Sequence, residues 1–160
     1  MLTSMIASVL TGIISTAIGN RRRPLMLAVT VSCLAGILIG FPLVDGNRTY
    51  AIPFSLLMGI GSAGAPIFAA SVKELNLPDF AATSVGVMNG TVYILISILS
   101  VFTGRILDTF GGVKSADNII RYPALAYRSI LMICLVLSIV SVVAAMFSKE
   151  TKGVNVYHQL

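Results

Sequence analysis

The sequence has no tryptophan, one histidine, two cysteines and six acidic residues against eleven basic ones. Cys33 and Cys134 each lie alone inside an apolar stretch. Without a CxxC or a Cys/His cluster there is no metal-ligand spacing, and no metal or other cofactor is expected. Both read as buried thiols acting as small hydrophobes, with a disulfide between them left open as the alternative. His158 falls in the polar tail, where it is expected to be solvated. No Asp, Glu, Lys, Arg or His lies well inside any apolar stretch. There is accordingly no acid pair, no nucleophile–base set and nothing buried that titrates near neutral pH. No enzyme is expected, and no proton relay confined to this chain.

Charge is scarce too. Charged residues are 11% of the chain, against about 25% in a soluble domain. The net charge of +5 is not a nucleic-acid signal. The basic residues sit mostly between or beside apolar runs, where they set orientation and meet anionic lipid headgroups. No basic-aromatic surface or nucleic-acid motif accompanies them, so no nucleic-acid partner is expected.

What is present is long uncharged sequence. Five stretches, about 1–20, 25–44, 51–72, 80–104 and 129–148, carry most of the 56% hydrophobic content. A helix rises about 1.5 Å per residue, so about 20 residues cross the roughly 30 Å hydrocarbon core. The runs are continuous rather than alternating, which excludes a membrane β-barrel. The expected fold is all-α: a polytopic transmembrane bundle of five membrane-spanning helices. It forms one domain over residues 1–160, with a polar tail at 149–160. The expected location is an integral, multi-pass position in a plasma or inner membrane, with the lipid bilayer as partner.

The first run lacks a preceding basic stretch and a cleavage site, and it ends in Arg21-Arg22-Arg23. It reads as a retained helix rather than a signal peptide. The positive-inside rule puts that arginine loop in the cytoplasm. Asp45–Tyr50 then falls outside, Lys73–Asp79 and the tail inside, and Arg105–Arg128 outside. Lys and Arg divide six inside to five outside, so the dense first loop carries the assignment. Asn47-Arg48-Thr49 fits a glycosylation acceptor, in a loop too short to hold it away from the membrane.

Small and polar residues recur at three- and four-residue spacing in three runs. They are Ser4, Ser8, Thr11, Ser15 and Gly19 in the first, and Ser55, Gly59, Ser62, Pro66 and Ala69 in the third. In the fourth they are Gly86, Asn89, Tyr93, Ser97, Ser100 and Gly104. Small faces let helices approach closely. Asn89 and Tyr93 are larger and need a partner or water, so they either bridge helices or line an aqueous cavity. Asn89, Tyr93, Ser62 and Ser97 are the candidate cavity contacts. Gly61, Gly64 and Pro66 mark an expected kink in the third run, since proline removes a helix hydrogen bond and clashes with the preceding turn. Broken helices are common near transporter sites; a kink serving packing alone is the other reading.

The stretch Gly12-Ile-Ile-Ser15-Thr16-Ala17-Ile18-Gly19-Asn20-Arg21-Arg22-Arg23 resembles the cytoplasmic signature loop of the major facilitator superfamily. Gly12, Gly19, Arg21 and Arg23 match that signature, with Arg22 inside the same basic loop, and Thr16 stands where the family usually has Asp. Lys73-Glu74-Leu75-Asn76 with Ala82–Gly86 and Asn89 looks like the junction of the tenth and eleventh spans. Gly104–Asp108 looks like the outer end of the eleventh, and Ser148-Lys149-Glu150-Thr151 like the cytoplasmic end of the twelfth.

The resemblance implies spans eight to twelve of a secondary transporter that moves a small solute by alternating access. It implies that the second and fifth runs are peripheral helices. It also implies a missing complement, an N-terminal half or a complementary subunit, with this chain a fragment, a truncated frame or one piece of a split carrier. The alternative is a small non-transporting membrane scaffold or assembly protein that binds other helices through its small-residue faces.

Overall fold

The computed structural model describes residues 2–19, 22–114 and 120–155. Six α-helices follow in order: α1 Leu2–Ala17, α2 Arg22–Val44, α3 Ala51–Ser62, α4 Ala65–Leu75, α5 Ala81–Phe110 and α6 Ala124–Phe147. Single 3-10 turns at Arg48–Tyr50 and Pro78–Phe80 lead into α3 and α5. A ribbon of two short antiparallel strands, β1 Val113–Lys114 and β2 Ile120–Arg121, joins α5 to α6.

The fold is all-helical, and four helical segments are long and apolar enough to cross a membrane: 22–44, 48–75, 78–110 and 124–147. This is one fewer than the five expected. At 16 residues, α1 extends about 24 Å, short of the roughly 30 Å apolar core. It stops early because Gly19 adopts φ +68° and turns the chain after the last helical bonds.

Two other boundaries move outward. Gly104 does not end α5, because no strong breaker follows until Gly111, whose φ of +66° closes the helix at Phe110. At the other end, α6 begins at Ala124, directly after the extended Pro123. Arg105, expected in a loop, is therefore helical, and Arg128, expected at the start of the last helix, lies one turn inside it.

The third run is two helices. The amides of Ala63 and Gly64 bond back to Ile60 and Gly61, and α4 starts again at Ala65. Pro66 sits in the first turn of α4, where its missing N–H leaves no helical bond unmade. Gly64 is the close approach: a Cβ there would lie 2.7 Å from the Val29 side chain on α2.

Helix α2 is the hub. It packs antiparallel along α3 in strict register: Cys33 meets Gly61, Gly36 meets Met58 and Gly40 meets Phe54. Each step up α2 is matched by an equal step down α3. Helix α6 lies on another side of α2, with Leu131 against Gly40 and Arg128 against Asp45. Leu25, Met26 and Val29 of α2, Ile67 of α4 and Ala145 of α6 form the buried apolar cluster.

In lipid there is no hydrophobic drive between helices, so these close glycine contacts supply dispersion energy that lipid chains match poorly. The second run, expected to be peripheral, is thus the most enclosed helix of the described chain. Its short Gly36/Gly40 face is fully used, whereas α5 has no buried residue along its length.

Candidate functional site

At the end of the bundle where α2 begins, five polar side chains from distant parts of the chain converge. The C-terminal end of α1 supplies Ser15, and the first turn of α2 supplies Arg22. The last turn of α4 supplies Glu74, and the segment after α6 supplies Glu150 and Thr151. Arg22 Nη2 donates to Glu74 Oε1 at 2.7 Å, and Nε lies 3.2 and 3.3 Å from the two carboxylate oxygens. This forked contact is the strong form of a charge-assisted bond. Nη1 donates to Ser15 Oγ at 2.7 Å. The hydroxyl of Thr151 donates to the second Glu74 oxygen, and Thr151 is 2% exposed.

Glu150 acts differently. Its Oε1 accepts the backbone N–H of Arg22 at 2.7 Å. A carboxylate there satisfies one of the free amides at the start of α2 and meets the positive end of its dipole. Arg23 Nη2 donates to the carbonyl of Met146, covering a free carbonyl near the C-terminal end of α6. Farther along the tail, Asn155 Nδ2 donates to the Asn76 carbonyl at 2.8 Å. The tail is thus drawn across the ends of α2 and α4 and held at both.

The Arg22 and Glu74 side chains are only 15% and 13% exposed. Their pairing therefore counts for more than a solvated surface bridge, and breaking it would strand a half-buried charge. Behind the pair lies a cavity of about 90 Å³, lined by Ser8, Thr11, Gly12 and Ser15 of α1 with Arg22 and Pro66. The α1 stripe is its polar wall. Thr11 Oγ1 and Ser8 Oγ bond to carbonyls of their own helix at 2.6 and 2.8 Å. Ser71, one turn before Glu74 on α4, has a buried hydroxyl with no hydrogen-bond partner among the described residues.

The residues singled out from sequence are distributed unevenly around this centre. Arg22 is in it, Arg23 is beside it, and Gly12 lines its cavity. Gly19 supplies the left-handed turn that ends α1. Arg21 lies outside the described residues, as does His158. Thr16 donates back to the Gly12 carbonyl at 3.2 Å and takes no part in the cluster. Gly61 and Gly64 make the close contacts of the α3–α4 break, with Pro66 beyond it.

The candidate cavity contacts lie elsewhere. Asn89, Tyr93 and Ser97 fall on one face of α5 and are exposed, Tyr93 by 70%. Ser97 donates to the Tyr93 carbonyl at 2.9 Å. No hydrogen bond engages the Asn89 amide among the described residues. Ser62 is exposed at the end of α3 and bonds the Gly59 carbonyl. Helix α5 packs mainly on α4 and α6, so Ser62 is not brought to the α5 stripe.

Sequence reasoning took Glu74, Glu150 and Thr151 only as markers of span ends. The available signal was an acidic residue beside a lysine at each of two run ends placed on the same side as the arginine loop. Among the described residues, no three His, Cys, Asp or Glu side chains gather to hold a metal. No protein-family model matches the chain, and no curated protein or solved structure is significantly similar to it.

Proposed function

We propose that this chain is the C-terminal portion of a secondary active transporter of the major facilitator type, moving a small solute by alternating access. The observation that carries the reading is the polar cluster around Arg22 and Glu74. It ties the ends of α1, α2, α4 and the tail together at one face, and it caps a cavity walled by the polar stripe of α1. A carrier that rocks two bundles about a midplane site needs each bundle to move as a unit, with polar ends that open and close to water. The α3–α4 break adds a bendable element beside that cavity. The long, exposed polar face of α5 is the surface that a complementary bundle would complete. Such a complement, an N-terminal half or separate subunit, is the proposed partner, in a plasma or inner membrane.

Water is the test. In native membranes of cells producing the chain, with Cys33 and Cys134 replaced by Ala, a single Ser97→Cys should react with a hydrophilic, positively charged thiol reagent. An aqueous cavity admits the reagent, and lipid or a dry helix seam does not. Failure of Tyr93→Cys and Ser97→Cys to react would sink the transporter reading.

A second reading is supported by a different observation. Added Cβ atoms at Gly86, Gly90 and Gly104 of α5 and at Gly12 of α1 would meet nothing within 4 Å. Those at Gly36, Gly40, Gly59, Gly61 and Gly64 would meet a neighbouring side chain. Small faces left open in this way suit a scaffold that docks other membrane helices without forming a water path. The same labelling separates the two, since a scaffold seam stays dry.

A further inference from the structure

Both cysteines and one methionine, from three helices, line one apolar cavity, and we propose that it is a binding site for a soft monovalent metal ion, Cu(I) in particular. The cavity has a volume of about 320 Å³ and lies between α2, α3 and α6. Its walls include Cys33 of α2, Met58 of α3 and Cys134 of α6, with Ile37, Phe54 and Leu137. These are both cysteines of the chain, and neither is in a disulfide.

The helix registers bring the three to similar depth. Met58 lies against Gly36, one residue before Ile37 on α2. The α2–α6 contacts at Gly40–Leu131 and Asp45–Arg128 advance in opposite directions along the two helices. Continuing that register sets Cys134 beside Ile37. Cys33 is one turn further along α2, on the α3-facing side, where its Cβ would lie 3.1 Å from a Cβ at Gly61. The register thus sets the two cysteines about one turn apart, with Met58 level with Cys134, an offset that suits a bridging ion better than a direct S–S bond.

The donor set selects the ion. Thiolates and thioethers are soft and prefer Cu(I) over the hard cations held by carboxylate and carbonyl oxygen. The apolar walls impose a second condition, because a net charge is costly there. One Cu(I) with one thiolate is neutral, and the second thiol and the Met58 thioether add uncharged donors. Binding therefore forms a Cu–S bond at one cysteine, releases its proton to water and leaves the oxidation state of copper unchanged.

The test uses the purified full chain in detergent, anaerobically, with Cu(I) supplied from a coloured Cu(I) chelator. The unmutated chain should remove one equivalent from the chelator. Cys33→Ser and Cys134→Ser should abolish that transfer, and Met58→Leu should weaken it roughly 10- to 100-fold, the scale on which secondary contributors tune metal affinity. In a measurement that needs no variant, one equivalent of Cu(I) should protect both thiols from alkylation by a maleimide. The proposal is overturned if the unmutated chain takes no copper, if both serine variants bind as tightly as the parent, or if copper protects neither thiol.

Discussion

The guanidinium of Arg22 grips the carboxylate of Glu74 across 52 residues of chain, with an Nη2–Oε1 distance of 2.7 Å. Ser15 accepts from the Nη1 of Arg22, and Thr151 donates to the other carboxylate oxygen of Glu74. The pair is the centre of a network rather than an isolated bridge, and its members should be energetically coupled. Arg22→Ala leaves Glu74 half-buried with only the Thr151 hydroxyl. Glu74→Gln keeps the shape but weakens the fork. Each should cost about 1.5–3 kcal/mol, the scale of hydrogen bonds to charged groups. The double variant should cost less than the sum, with a coupling of about 1–3 kcal/mol. Reversible unfolding in mixed detergent micelles measures all three, and strict additivity would show that the two side chains do not interact.

The tail is held by this network, so it should loosen when the network does. Glu150 caps the start of α2, and Thr151 donates to Glu74. Lys149 and Lys152 flank these anchors and are tryptic sites. Cleavage there should be slow in the parent and accelerate in Arg22→Ala. Thr151→Val, which removes one hydroxyl donor, should cost about 1 kcal/mol and give an intermediate rate. Equal cleavage in all three proteins would mean that the tail is not bound across the helix ends.

The glycines divide into covered and open sets, and alanine substitution should sort them. A Cβ at Gly64 would lie 2.7 Å from Val29 and 2.8 Å from Phe68, and one at Gly59 would lie 2.6 Å from Thr3. Gly64→Ala and Gly59→Ala should destabilise by about 1–3 kcal/mol through overpacking. Gly86→Ala and Gly90→Ala meet open space within a helix and should be neutral or stabilising by about 0.5–1 kcal/mol in the isolated chain. Unfolding of the four variants under one condition decides the matter, and a loss at Gly90 equal to that at Gly64 would mean that α5 is packed on that face.

Long apolar runs made the helices that are long enough to cross a membrane legible, because twenty uncharged residues leave the backbone few options in lipid. Their ends were less legible. Gly104 looks like a stop in the sequence, yet α5 passes through it, since a single glycine weakens a helix by only about 1 kcal/mol. Gly19 does end α1, through its left-handed φ. Which helix is central could not be read at all. The short Gly36/Gly40 face of α2 is covered on two sides, while the longer stripe of α5 is bare, and that difference lies in tertiary placement. Arg22 stood out as part of a basic run. Its partners Glu74 and Glu150 are 52 and 128 residues away, and no local pattern connects such distant positions.

Arg22, Glu74 and Glu150 gather at one end of the bundle, while Asp45 and Arg128 pair at the other end of α2, 2.6 Å apart. The positive-inside rule assigns the first end to the cytoplasm. With the native cysteines replaced by Ala, Lys149→Cys should be protected from an impermeant thiol reagent in intact cells, and Asn47→Cys should be labelled. The reverse pattern would invert the orientation and remove the basis for reading the arginine loop as a cytoplasmic signature.

Asn89 separates a structural face from a working one. It sits on α5 with no hydrogen-bond partner among the described residues, and Tyr93 lies one turn further along the same exposed face. An amide left unpaired in an apolar medium costs several kcal/mol, so in the membrane Asn89 must meet water or another helix. The two environments respond differently to Asn89→Leu in the protein assembled with its proposed complement. If the amide bridges helices, assembly should weaken by about 1 kcal/mol, the scale of hydrogen bonds between membrane helices. Transport per assembled molecule should then hold. If the amide faces a water-filled path, the protein should accumulate normally while transport falls. Bridging is the expected outcome for Asn89, with Tyr93 the stronger candidate for solute contact, so Tyr93→Leu should lower transport more than Asn89→Leu at equal accumulation. Quantified membrane levels and solute flux for both variants measure the difference. Normal levels and unchanged flux in both would show that this face of α5 is neither a helix seam nor a solute surface.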